Sequence, residues 1–132
     1  MMIHKMPLRS LGCLIFIALL VGCGKSNADV APVSGVVTLD GRPLEFAIIT
    51  FQPEGKSPAA GRTDKDGHYE LLYKRGVMGA PVGPNRVTIM LDVDLAKKPQ
   101  NVPARYNTQT ELQHEVKPGP NVIDFDLKTE AK

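Results

Sequence analysis

Apart from His4 near its start, this 132-residue chain has few side chains able to do chemistry: His68, His114, three tyrosines, two cysteines and a short acidic run. The run Asp64-Lys65-Asp66-Gly67 begins like a calcium loop, because a hard cation wants several carboxylate oxygens close together. It lacks a further oxygen ligand and a closing glutamate, and Glu70 comes too early. The expected role is a tight turn, for which Asp and Gly are the usual residues. His68 and His114, taken with Tyr69, Tyr73 and Tyr106, invite a transition metal, but no His-x-His pair supplies ligand spacing. His114 falls on the apolar face of an alternating run and is expected to be a hydrogen-bonded core histidine. Ser34 and Ser57 sit in no nucleophile-elbow context. No residue is nominated as catalytic, and neither a metal nor a cofactor is expected.

The segments that must position these residues begin well inside the chain. Residues 1–10 carry His4, Lys5 and Arg9 without an acid, and residues 11–21 are apolar apart from Gly12 and Cys13. That is a signal-peptide layout: the apolar run of about 11 residues is too short to span a bilayer, which takes about 20. At its end, Leu20-Val21-Gly22-Cys23 resembles the lipobox of bacterial lipoproteins. The resemblance implies cleavage between Gly22 and Cys23 and a diacylglyceryl thioether on the Cys23 sulfur. Cys13 is a poorer candidate, since almost no apolar run precedes it. Gly24, where an Asp would signal inner-membrane retention in some Gram-negative bacteria, favours the outer membrane.

Cleavage there removes 22 of the 132 residues and leaves 110, enough for one domain. With Cys13 removed and Cys23 acylated, no thiol remains for a disulfide or a thiolate metal site. Losing Lys5 and Arg9 takes the 16 basic residues to 14, against 14 acidic ones. A neutral mature chain offers no electrostatic case for binding nucleic acid. Residues 23–32 are polar and read as a mobile tether.

From residue 33 the pattern becomes short β-rich runs broken by turn residues, with hardly any helical spacing. Residues 33–39 predict a strand closed by the hairpin signal Asp40-Gly41. Residues 46–51 predict a second strand, apolar enough to be buried on both faces and ended by Pro53. Residues 53–61 read as a polar loop. In 68–73, Tyr69, Leu71 and Tyr73 share one face at period two. Residues 76–84, with three glycines and two prolines, read as a connection. Further strands are expected with Val87, Ile89 and Leu91 inward, then Leu112, His114 and Val116, and finally Ile123, Phe125 and Leu127 with Asp124 and Asp126 outside. The sum is an all-β sandwich of six or seven short strands, mainly antiparallel, over residues 33–128, with a tail at 129–132.

Three stretches carry a family resemblance. Val33-Ser34-Gly35-Val36-Val37-Thr38-Leu39-Asp40-Gly41-Arg42-Pro43-Leu44, followed by Ala47-Ile48-Ile49-Thr50-Phe51, resembles the opening of carboxypeptidase regulatory-like domains. Thr63-Asp64-Lys65-Asp66-Gly67-His68-Tyr69 resembles their second signature, and Pro81-Val82-Gly83-Pro84-Asn85-Arg86-Val87-Thr88-Ile89 their third. The whole chain looks like a small bacterial lipoprotein carrying one such domain. That implies a transthyretin-like, or prealbumin-like, sandwich of about seven strands, and does not imply catalysis. Tyr73-Lys74-Arg75-Gly76 resembles the C-terminal Tyr-Arg-Gly-Ser of transthyretin-like hydroxyisourate hydrolases, but Lys74 is inserted and the segment lies mid-chain.

Residues 92–108 form the longest stretch without a clear strand, and loops of this length in compact domains are often functional. They hold the candidate partner-binding residues Lys97, Lys98, Arg105 and Tyr106; Val102-Pro103-Ala104-Arg105-Tyr106 also resembles a segment recurring in these lipoproteins. Two readings of Tyr106 stand side by side: docking on the sandwich, or contact with a partner. The function expected is a lipid-anchored, exported module at the bacterial cell envelope, non-catalytic, with the membrane and an unidentified protein or carbohydrate as partners. The competing classes are a small enzyme of the hydroxyisourate hydrolase or intradiol dioxygenase kind, which needs a polar cleft at His68 or His114, and a carbohydrate-binding module. The latter needs exposed coplanar aromatics, and the chain has no Trp and three Tyr.

Overall fold

Period-two alternation makes each strand apolar on one side, and two such sheets can hide those sides only by stacking on each other. The computed structural model describes residues 29–97 and 101–130, and has that architecture. Gly22, Cys23 and Lys98 lie outside the described residues. The first strands are β1 (Val30–Ala31), β2 (Val33–Leu39), β3 (Arg42–Pro43), β4 (Ala47–Pro53), β5 (Ala59–Arg62) and β6 (His68–Glu70). They continue as β7 (Leu72–Lys74), β8 (Val77–Met78), β9 (Ala80–Pro81), β10 (Gly83–Leu91), β11 (Gln113–Val116), β12 (Asn121–Val122) and β13 (Phe125–Leu127).

One sheet runs β11-β10-β4-β5-β7-β8. The other is built on β2, which pairs β3, β6, β12 and β13. A two-stranded piece, β1 with β9, leads the chain into the domain. The expected all-β sandwich is therefore present, with one refinement. β12 and β13 lie parallel to β2, while the other strand pairs are antiparallel. No tight hairpin joins them to β2, so nothing forces reversal.

Between the sheets lie Val33, Val37, Leu39, Ile49, Phe51, Tyr69, Val87, Ile89, Val116, Phe125 and Leu127, all buried. Phe125 is the centre of the aromatic packing, 6.3 Å from Phe51 edge-on and 6.2 Å from Tyr69 between centroids. The Asp40-Gly41 turn has positive φ at both residues (50° and 81°), the twist a two-residue hairpin requires.

Three sequence expectations change. The run 68–73 is two strands: β6 pairs β2, whereas β7 pairs β5 in the other sheet. Leu71 is the crossing point, its N–H donating to Val33 O and its carbonyl accepting from Gly79. Residues 53–61 and 76–84 are not wholly loop, since β5, β8, β9 and the start of β10 fall in them. Ala-Ala-Gly-Arg has little intrinsic strand preference, and β5 forms because β4 offers it a partner. Finally, Ile48 and Thr50 face outward and are only half-buried, so β4 is not covered on both faces. Phe46, expected to open that strand, instead has φ 60°. This strained conformation is held because its N–H donates to Thr63 O and its carbonyl accepts from Asp92 N.

Candidate functional site

Register divides the molecule into two ends. β2 starts at Val33 beside β1 and finishes at Leu39; β10, antiparallel to β4, brings Asn85 opposite Pro53 and Leu91 opposite Ala47. The tether-side end therefore collects residues 29–30, the 54–58 loop, the 74–77 turn and the 117–120 turn. The far end collects the turns at 40–41, 64–67 and 92–97.

At the far end, one carboxylate oxygen of the exposed Asp64 is taken up by its own turn. Its Oδ1 accepts the amides of Asp66 (2.9 Å) and His68 (3.0 Å), which closes the turn. Thr63 before it is buried, donating to Leu44 O (2.5 Å) and accepting from Ala47 N (2.8 Å). It pins the chain on both sides of the strained Phe46. His68 is exposed on β6, whereas His114 is half-buried on β11 in the other sheet, its ring edge-on to Phe125 at 5.2 Å. No group of three His, Cys, Asp or Glu side chains converges among the described residues.

The segment after β10 is fixed at both ends. Asp92 accepts Arg62 in an ion pair of 2.9 Å and its amide donates to Phe46 O (2.8 Å). Residues 104–106 form a 3-10 turn. There Arg105 stacks on Tyr106, 4.7 Å from the ring centroid, and donates to the carbonyls of Lys128 and Glu130. The Tyr106 hydroxyl accepts the Lys128 amide at 3.0 Å. Arg105 and Tyr106 thus clasp the C-terminal segment, which Asp40 also holds through the Thr129 amide and hydroxyl. Those two hydrogen bonds keep the Asp40 carboxyl below its ordinary pKa. Between the fixed ends, Val93 (74% exposed), Leu95 (42%) and Lys97 project into solvent.

Arg105→Ala is expected to speed amide exchange at Lys128 and Thr129 by about tenfold, while global stability falls by no more than about 1 kcal/mol. Hydrogen exchange read residue by residue checks this. Unchanged exchange at both amides would contradict the clasp.

At the tether-side end, a cleft of about 360 Å³ is lined by Asp29, Val30, Lys56, Tyr73, Lys74 and Pro81, among others. The Lys74 ammonium sits 4.9 Å from the Tyr73 ring centroid. Nearby, Asn85 is buried, donating through Nδ2 to Pro81 O (2.9 Å) and Gly83 O (3.1 Å).

Thr63 and Asn85 stand in the sequence only as members of the family-like stretches and Asp124 only as an outward residue of the last strand, while Thr110 carries no signal there. Thr110 is buried and donates to Val87 O; Asp124 accepts the Val36 amide at 2.8 Å where the chain leaves the β2 ladder between β12 and β13. No helix among the described residues is long and apolar enough to cross a membrane.

No protein-family model and no curated protein matches the chain. Among solved structures, a DUF3823 family protein from Parabacteroides merdae is similar, with a TM-score of 0.46 and 15% identity over 75% of this chain. The match takes in 46% of that protein, so this chain spans about half its length.

Proposed function

We propose that the chain is a lipid-anchored, exported module of the carboxypeptidase regulatory-like, transthyretin-like kind, serving a binding or structural role at the bacterial envelope, with the outer membrane favoured. The anchor is the acylated Cys23. The observation that carries a non-catalytic reading is the commitment of polar side chains to the fold: Asp64 closes a turn, Arg105 and Tyr106 clasp the C-terminal segment, and His114 packs on Phe125.

The partner-binding surface in this reading is the projecting loop with Val93, Leu95 and Lys97. Exposed apolar side chains beside a cation, on a turn closed by the Leu95 and Ala96 amides on the Asp92 carbonyl, present a contact surface at small entropic cost. Solubilised envelope passed over the mature acylated protein should leave a partner on the wild type that a Val93→Asp/Lys97→Glu variant retains at least about tenfold less. Equal retention by both would remove the loop from the proposal.

A further inference from the structure

The tether-side end has a composition the far end lacks. Its outermost exposed basic residues are Lys56, Lys74, Arg75 and Lys117, against Asp29 and Glu54 at the same level and, one step inward, Glu70 and Glu115. Asp40, Glu45, Asp64, Asp66, Asp94 and Glu130 gather on the far end, offset there by Arg42, Lys65, Lys97 and Lys128. The basic residues come from three separate turns that register brings together: 54–58 between β4 and β5, 74–77 between β7 and β8, and the turn after β11. Beside them lie the half-buried Tyr73 with Lys74 at its ring, and the exposed Leu72 and Met78 paired across β7 and β8. Basic, aromatic and apolar groups side by side suit the headgroup region of a bilayer, where long cations and aromatic rings keep a polar tip wet over an apolar body.

Chain length brings this end to the membrane. Five residues lie between Cys23 and Asp29, six Cα–Cα steps, so fully extended they reach at most about 22 Å. Asp29 itself lines the basic cleft, and its carbonyl accepts the Val82 amide at 2.8 Å, so the chain enters the domain at this cleft.

We propose that the tether-side end is a docking face for the anionic headgroups of the bilayer that carries the anchor, with Lys56, Lys74, Arg75 and Lys117 as the charged contacts and Tyr73 at the interface. The proposal rests on acylation of Cys23. Acylation keeps the face at a high effective concentration next to lipid, so the modest basic excess of its outermost turns, with Glu70 and Glu115 set back from them, is enough to seat it. Seated this way, the domain stands upright and its 92–97 loop points away from the membrane.

The test places the mature acylated protein on vesicles of phosphatidylcholine alone or mixed with phosphatidylglycerol, and measures lysine acetylation by mass spectrometry. On anionic vesicles Lys56, Lys74 and Lys117 should label at least about threefold more slowly, relative to Lys65, Lys97 and Lys128, than on neutral ones, and high salt should erase the difference. The Lys56→Glu/Lys74→Glu/Arg75→Glu variant, whose changes are all on exposed side chains, should lose the protection of Lys117. Equal labelling on both vesicles, with the lipid present on Cys23, overturns the docking face and leaves the anchor standing. Absence of lipid from Cys23 in the same spectra overturns both.

Discussion

Replacing Gly35 by alanine is expected to destabilise the domain by on the order of 3 kcal/mol, a large share of the roughly 5–15 kcal/mol that holds a domain of this size. Gly35 is central in β2, and a Cβ there would lie 1.9 Å from the Ile123 carbonyl oxygen and 3.0 Å from Cε1 of Tyr69. The backbone of Ile123 must move to admit it. Moving it breaks the bond from the Tyr69 hydroxyl to Ile123 O (2.5 Å) and disturbs the Val36 amide on Asp124. Burial, with the Asp124 charge nearby, pushes the Tyr69 pKa up, so this hydroxyl stays a neutral donor that needs its acceptor.

Gly41→Ala is the control. Its φ of 81° strains an alanine, but nothing lies within 4 Å of the new methyl, so the cost should be about 1 kcal/mol. Urea unfolding separates the two: the Gly35 midpoint should fall by more than about 1 M and the Gly41 midpoint by clearly less, with similar slopes. Equal shifts would mean that the closeness of β2 to Ile123 does not govern stability.

Cys23→Ala has the largest effect expected on the protein's location. A single acyl chain binds membranes only marginally, while two or more, at about 0.8 kcal/mol per buried methylene, hold a domain firmly. Alanine has no sulfur to form the thioether. The variant should lack acylation and leave the membrane fraction in which the proposed anchor places the wild type, being released or held elsewhere by an uncleaved signal. An apolar run of about 11 residues is too short to replace the anchor by spanning the bilayer. Membrane retention identical to that of wild type, without lipid, would contradict the anchor.

Much of the fold was legible because β2, β10 and β13 alternate cleanly and the Asp40-Gly41 turn has few conformations open to it. The break at Leu71 was not legible, because a period-two pattern continues unchanged when a chain passes from one sheet to the other inside a common core. β5 was hidden for the opposite reason: its residues have no pattern of their own. Gly61 belongs there because a Cβ would meet the Glu70 carbonyl oxygen at 2.2 Å, a contact set by tertiary packing.

The candidate site shows the same division. The Asp64 turn could be read from residue types alone, since its bonds are local. The hold of Arg105 on Lys128 and Glu130 spans more than 20 residues, and the grouping of Lys56, Lys74 and Lys117 at one end depends on register across the six-stranded sheet. Single-sequence periodicity carries neither.

The central claim, a β-sandwich held at the envelope through Cys23, is tested most directly by the intact mass and N-terminal peptide of the protein purified from its native membrane. The account predicts a chain that begins at Cys23 and bears a diacylglyceryl thioether on that sulfur. A membrane-derived chain that begins at another residue, or one whose Cys23 is a free thiol, would contradict it.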